Sequence, residues 1–125
     1  KAGADFVTPE GEVVPNHRLT TDPTPPKRFA YMSDTAYTEK HLELIHGVDC
    51  LYHESTFLKE DAARIKATLH SSAEQAATLA KKAEVKQLII GHYSARYTDS
   101  KVFLDEARAI FPNTQAAFDG ANYFF

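Results

Sequence analysis

At 125 residues, 43% apolar and 25% charged, the chain has the composition of one small globular domain and is too apolar to be wholly disordered. A net charge of −3 gives no basic face for general nucleic-acid binding, so any RNA contacts must be local or lie elsewhere. No apolar run approaches the roughly 20 residues of a membrane-spanning helix, and no signal peptide is expected from an opening that is polar and contains Gly and Pro; a first residue other than Met fits a processed chain or part of a longer protein.

Residues 1–28 read as an irregular or hairpin-like lead-in, punctuated by Gly3, Pro9, Gly11, Pro15, Pro23, Pro25 and Pro26, with Glu12-Val13-Val14 as a candidate edge strand. The pattern then becomes regular. Phe29 to Met32 is a short apolar strand. Thr38 to Ile45 has helical spacing, with Thr38 as N-cap, Leu42 and Ile45 on one face and Gly47 as the stop. Asp49 to His53 is a second strand, and it holds the only cysteine, Cys50. A lone thiol excludes an internal disulfide, fits a reducing, cytoplasmic setting and is expected to be buried and structural.

Lys59 to Leu69 is a helix with Ala62, Ile65 and Leu69 on one side. Two overlapping capping boxes follow, Ser71 with Glu74 and Ser72 with Gln75, opening a helix that runs to about Ala83. Leu88 to Ile90 is a buried strand, Ser100 to Phe111 a helix stopped by Pro112-Asn113, and Ala116 to Phe118 a last strand. Strands alternating with helices define an α/β layered domain, whose sites usually sit at strand ends.

Four segments place polar groups just after an apolar strand or before a helix. In Ser33-Asp34-Thr35 the carboxylate is a metal ligand or a turn aspartate. In His53-Glu54-Ser55-Thr56-Phe57, adjacent imidazole and carboxylate can bind metal, move a proton or end a strand. His70 precedes a helix N-terminus, whose dipole favours neutral imidazole and a bound anion, while Ser71 and Ser72 are explained as caps. In Gly91-His92-Tyr93-Ser94-Ala95-Arg96-Tyr97 the histidine is a metal ligand or a core residue. Gly91 allows close backbone approach, and Arg96 can grip a phosphate with its planar fork. His17, His41 and His46 read as incidental, and Tyr123-Phe124-Phe125 as packing or a dimer contact.

Taken together and in order, these segments resemble the ribonuclease Z family of the metallo-β-lactamase superfamily. Ser-Asp-Thr around Asp34 matches the family's Gly-Asp-Thr, and residues 53–57 match His-Glu-Ala-Thr-Phe with Ser55 for Ala. Residues 70–76 match the His-Ser-Thr-Ala motif, with Ser72 for Thr, and residues 92–97 resemble His-Phe-Ser-x-Arg-Tyr, with Tyr93 for Phe. The resemblance covers nearly the whole chain and is firmest over 29–97. It implies the C-terminal half of a metallo-β-lactamase-type αββα sandwich, with an apolar sheet face left for a partner layer.

The same resemblance implies a zinc-dependent endoribonuclease acting on precursor tRNA. Two zinc ions would activate a hydroxide and polarise the scissile phosphate. Asp34 would bridge them and His92 would bind the second. His70 would protonate the leaving 3′ oxygen, with Glu54 orienting its ring, and Arg96 would hold a phosphate oxygen. The family's His-x-His-x-Asp-His cluster, a further histidine and the arm for the tRNA elbow are not in this sequence. The chain alone is therefore expected to be inactive, and the intact protein to be a cytoplasmic homodimer with no membrane association. Other superfamily hydrolases (arylsulfatase, lactonase, phosphodiesterase) share the Asp34 and His92 pattern, and a non-catalytic, self-associating fragment is the alternative from another class.

Overall fold

The computed structural model describes residues 3–125. A hairpin of β1 (Phe6–Val7) and β2 (Val13–Val14) opens it, turned by Gly11 at φ +86°, a left-handed conformation that suits glycine. A single helical turn, α1 (Asn16–Leu19), follows. The remaining elements are β3 (Phe29–Met32), α2 (Leu42–Ile45), β4 (Cys50–Glu54), a 3₁₀ turn (Lys59–Asp61) running into α3 (Ala62–Thr68), α4 (Ala73–Lys82), β5 (Leu88–Gly91), α5 (Lys101–Arg108) and β6 (Thr114–Ala116).

The four main strands form one parallel sheet in the order β3-β4-β5-β6, with Ala30, Leu51, Leu88 and Thr114 in one register row and Met32, His53, Ile90 and Ala116 in another two residues on. Sequential parallel strands joined by right-handed crossovers carry their helices on one face. That face is the core: Leu51, Leu88 and Ile90 meet Leu79, Ala76, Ala80, Phe103 and Ala107 from α4 and α5. Alanines along α4 let the helix lie close to the sheet, and Phe103 fills the space between α5 and the rings of Tyr93 and Tyr97.

The opposite face is aromatic and largely open. Phe29 is 51% and Tyr31 65% exposed, Tyr31 stacks on Tyr52 at 4.7 Å, and Phe125 folds back onto Phe29 at 5.7 Å. Tyr123 also turns inward, its hydroxyl donating to the Ala116 carbonyl, whereas Phe124 points to solvent.

Several boundaries differ from the sequence reading. The Thr38 hydroxyl accepts from Lys40 N–H in a local turn, so Thr38 is no N-cap and α2 begins only at Leu42. Lys59–Leu69 divides into a 3₁₀ turn and a helix that stops at Leu69, which adopts the left-handed conformation at φ +60°. Of the two capping boxes, Ser72 with Gln75 forms; Ser71 donates instead to the Thr35 carbonyl at 2.7 Å. The last strand is Thr114–Ala116 rather than 116–118, because the polar Thr114 is buried in register with Leu88, its hydroxyl satisfied by the Phe111 carbonyl.

Candidate metal and acid–base site

The C-terminal ends of β3, β4 and β5 bring three of the four polar segments to one edge of the sheet, and the loop entering α4 brings the fourth. Backbone bonds tie these loops together. Ser55 N–H donates to the Gly91 carbonyl and Ser94 N–H to the Thr56 carbonyl, joining the loops after β4 and β5. Phe57 N–H donates to the Ser71 carbonyl and Ala73 N–H to the Phe57 carbonyl, joining the β4 loop to the start of α4. Ser55, which stands where the resembled motif has Ala, is buried with its hydroxyl donating to the Gly91 carbonyl at 3.2 Å. Gly91 cannot carry a side chain, since a Cβ there would lie 2.5 Å from the Tyr52 hydroxyl.

Glu54 sits at the centre of the site and is fully buried. One carboxylate oxygen accepts from Thr35 N–H at 2.8 Å and faces His70 Nδ1 at 2.8 Å. The other accepts from the Thr56 hydroxyl at 2.6 Å and Thr56 N–H at 3.2 Å. Burial opposes the charge, but the bonds from Thr56, His70 and nearby backbone N–H groups outweigh it and hold the carboxyl below its ordinary range. Glu54 is therefore an ionised, acceptor-only group, so His70 must present Nδ1–H to it and turn Nε2 outward.

His92 Nε2 lies 3.3 Å from an oxygen of Asp34, and the ligand atoms of Asp34, His70 and His92 all lie within 4.8 Å of one another. Asp34 is 70% exposed and His92 42% exposed, so the cluster opens to solvent. Asp34 (φ +49°) and His92 (φ +60°) both hold left-handed backbone, as does Leu69 immediately before His70. Such conformations cost of order 1–3 kcal/mol each and persist where surrounding contacts over-determine them. The donor set, one carboxylate and outward-facing imidazole nitrogens, fits a zinc-type cation.

His53 does not join the cluster. It lies between Met32 and Ile90 in the sheet, its Nδ1 hydrogen-bonded to the Glu54 carbonyl at 2.6 Å and its Nε2 buried with no partner among the described residues. Burial lowers its pKa, so it is a neutral core residue. Arg96 is exposed, its backbone N–H on Ser94 Oγ. His17, His41 and His46 are exposed and outside the cluster.

The start of α4 is closed to an anion, contrary to the sequence expectation. Ala73 N–H donates to the Phe57 carbonyl, Glu74 N–H to the Glu106 carboxylate at 2.9 Å and Gln75 N–H to Ser72 Oγ at 3.1 Å. Glu106 lies 32 residues away on α5, so no local pattern announces it. Thr35 and Thr56 are site residues that sequence reasoning misses. The only sequence signal for Thr56 is its place two residues after Glu54, where a hydroxyl can bond back to a preceding side chain.

Residues 17–93 match the family model described as a beta-lactamase superfamily domain, and the chain belongs to that superfamily. Its curated relatives include ribonuclease Z of Bacteroides thetaiotaomicron, 57% identical over 94% of this chain and 37% of the relative, and ribonuclease Z of Parabacteroides distasonis, 58% identical over 96% and 40%. The chain thus spans about two fifths of the length of those relatives. Among solved structures it is similar to the metallo-beta-lactamase fold protein YhfI of Bacillus subtilis (TM-score 0.64, 19% identity, 70% of this chain and 35% of that one). It is also similar to the short form of human tRNase Z (TM-score 0.59, 24% identity, 74% and 31%). These two likenesses establish the metallo-β-lactamase fold.

Proposed function

We propose that this chain supplies one side of the active site of a zinc-dependent endoribonuclease of the ribonuclease Z type, which removes the 3′ trailer from precursor tRNA. The observation that carries the reading is the buried Glu54 carboxylate facing His70 at 2.8 Å, beside the Asp34 and His92 pair. Asp34 and His92 alone suit many hydrolases of this fold. The carboxylate-oriented histidine next to them adds a proton donor suited to a leaving alkoxide. The ribonuclease Z names of the curated relatives support the same reading.

Asp34 and His92 would hold zinc, the carboxylate supplying negative charge against the cation. When bound, the metal pair would lower the pKa of water and neutralise charge on the phosphate. His70 donates a proton from Nε2 to the 3′ oxygen as its bond to phosphorus breaks, leaving a 3′ hydroxyl on the tRNA and the phosphate on the trailer. Glu54 keeps the ring oriented, accepting at 2.8 Å from Nδ1. Arg96, exposed in the loop after β5, would hold a phosphate oxygen with its planar fork. Lys59 and Lys66 line a groove that His70 also borders and supply local positive charge on a chain of net charge −3.

Zinc generally takes three or four protein ligands, and Asp34 with His92 supply two. On its own the chain is therefore inactive and binds zinc weakly. The intact protein is cytoplasmic and dimeric in this reading; no described helix is long and apolar enough to cross a membrane. The open aromatic face makes self-association the expected behaviour of the isolated chain, checked by sedimentation.

The test is cleavage of a precursor tRNA by the intact protein that carries this chain, with zinc present. Cleavage just after the discriminator nucleotide, leaving a 3′ hydroxyl, is the expected result. A folded, zinc-loaded protein that leaves the RNA intact but hydrolyses small esters would move the assignment to another hydrolase of the fold.

A further inference from the structure

We infer that Thr56 is a positioning residue that fixes the tautomer of His92, so that a single hydroxyl proton links the Glu54–His70 pair to the His92–Asp34 pair. The Thr56 hydroxyl lies 2.6 Å from Glu54 Oε2 and 2.9 Å from His92 Nδ1. A hydroxyl has one proton to give. Glu54 is an ionised carboxylate surrounded by donors and can only accept, so the Thr56 proton goes to it. The Thr56 oxygen is then left as an acceptor, and His92 Nδ1 must carry hydrogen.

The consequence falls on the other ring nitrogen. With hydrogen on Nδ1, the Nε2 lone pair of neutral His92 faces an Asp34 oxygen at 3.3 Å. Two acceptors held that close attract a cation between them. Without Thr56 the balance reverses: Asp34 is then the better acceptor, hydrogen moves to Nε2, and the nitrogen that faces Asp34 is blocked. Thr56 is buried and its backbone is pinned on both sides, its N–H on Glu54 and its carbonyl on Ser94 N–H, so the hydroxyl is held in this bridging place. Glu54 thereby orients both imidazoles, His70 directly and His92 through one hydroxyl. Partners of this kind behind a metal-binding histidine set its tautomer and its affinity for metal.

The role in metal binding rests on the proposed function, but the tautomer does not, so the two can fail separately. Long-range ¹H–¹⁵N correlation spectra of the metal-free chain, above the imidazole titration range, distinguish Nδ1–H from Nε2–H at each histidine. Wild type is expected to show Nδ1–H at His92 and at His70. Thr56→Val is expected to switch His92 to Nε2–H while His70 keeps Nδ1–H, which also reports that the pocket is folded. Thr56→Ser is expected to retain the wild-type pattern, and Asp34→Ala to retain Nδ1–H at His92. In the intact protein, Thr56→Val is expected to lose about 10-fold to 100-fold in zinc affinity, restored by serine. Nε2–H at His92 in wild type overturns the inference even if the valine variant does not fold, and so does Nδ1–H persisting in a folded Thr56→Val.

Discussion

Two buried carboxylates flank the central strand β4, and they are held in opposite ways. Asp49, just before the strand, accepts from Arg28 N–H at 2.8 Å and Lys86 Nζ at 2.7 Å, with Lys27 at 4.0 Å. Glu54, at the strand's other end, faces backbone N–H groups, a threonine hydroxyl and an imidazole, but no lysine or arginine among the described residues. The Lys86 bond, with the Arg28 N–H behind it, holds the Asp49 carboxyl at about 2. A lysine stays charged at any ordinary pH, so Asp49 is a fixed clamp between strands. A histidine can take up and give back a proton, so Glu54 stabilises a group that changes state. The same strand is closed at one end and chemically available at the other.

The comparison is broken most severely by Glu54→Gln. The amide puts an NH2 in place of one carboxylate oxygen, either the one that accepts from Thr35 and His70 or the one that accepts from Thr56, so buried donors lose their acceptor. A loss of about 3 kcal/mol in urea unfolding is expected, while Asp49→Asn, with solvent within reach, should cost clearly less. A smaller effect is expected from Ser72→Ala, which removes the cap that accepts from Gln75 N–H and should cost about 1 kcal/mol in the same measurement.

The subtlest difference is in acid. Asp49 has a folded pKa of about 2 against an ordinary 3.8, so its contribution is complete above about pH 4 and is lost as pH falls toward 2. The unfolding midpoint of Asp49→Asn should therefore fall less steeply across that window than that of wild type. Equal slopes would mean that Lys86 and Arg28 do not stabilise the Asp49 charge.

Much of this site is legible in the amino-acid sequence, because three of its four candidates follow an apolar run that reads as a buried strand. Asp34, Glu54 and His92 reach one edge, since parallel strands put their C-terminal ends on the same side, and His70 joins them from the loop that enters α4. What links them is hidden at that level. Thr56 looks like any loop threonine until His92, 36 residues on, arrives at its oxygen. The start of α4 looks ready for an anion until Glu106 folds onto it. Both misses have one cause: local patterns state what a group can do, and only tertiary contacts decide which partner reaches it first. The shorter α2 has a local cause instead, a threonine turn, whereas β6 is displaced by pairing that buries Thr114 beside Leu88.

The most direct test of the account is single-turnover cleavage of precursor tRNA by the intact protein carrying His70→Ala, with zinc content measured on the same samples. A chemical step slowed by about 100-fold or more, with zinc retained, is expected. Cleavage at the wild-type rate, or zinc lost in step with activity, would contradict it, the latter by making His70 a metal ligand rather than the proton donor.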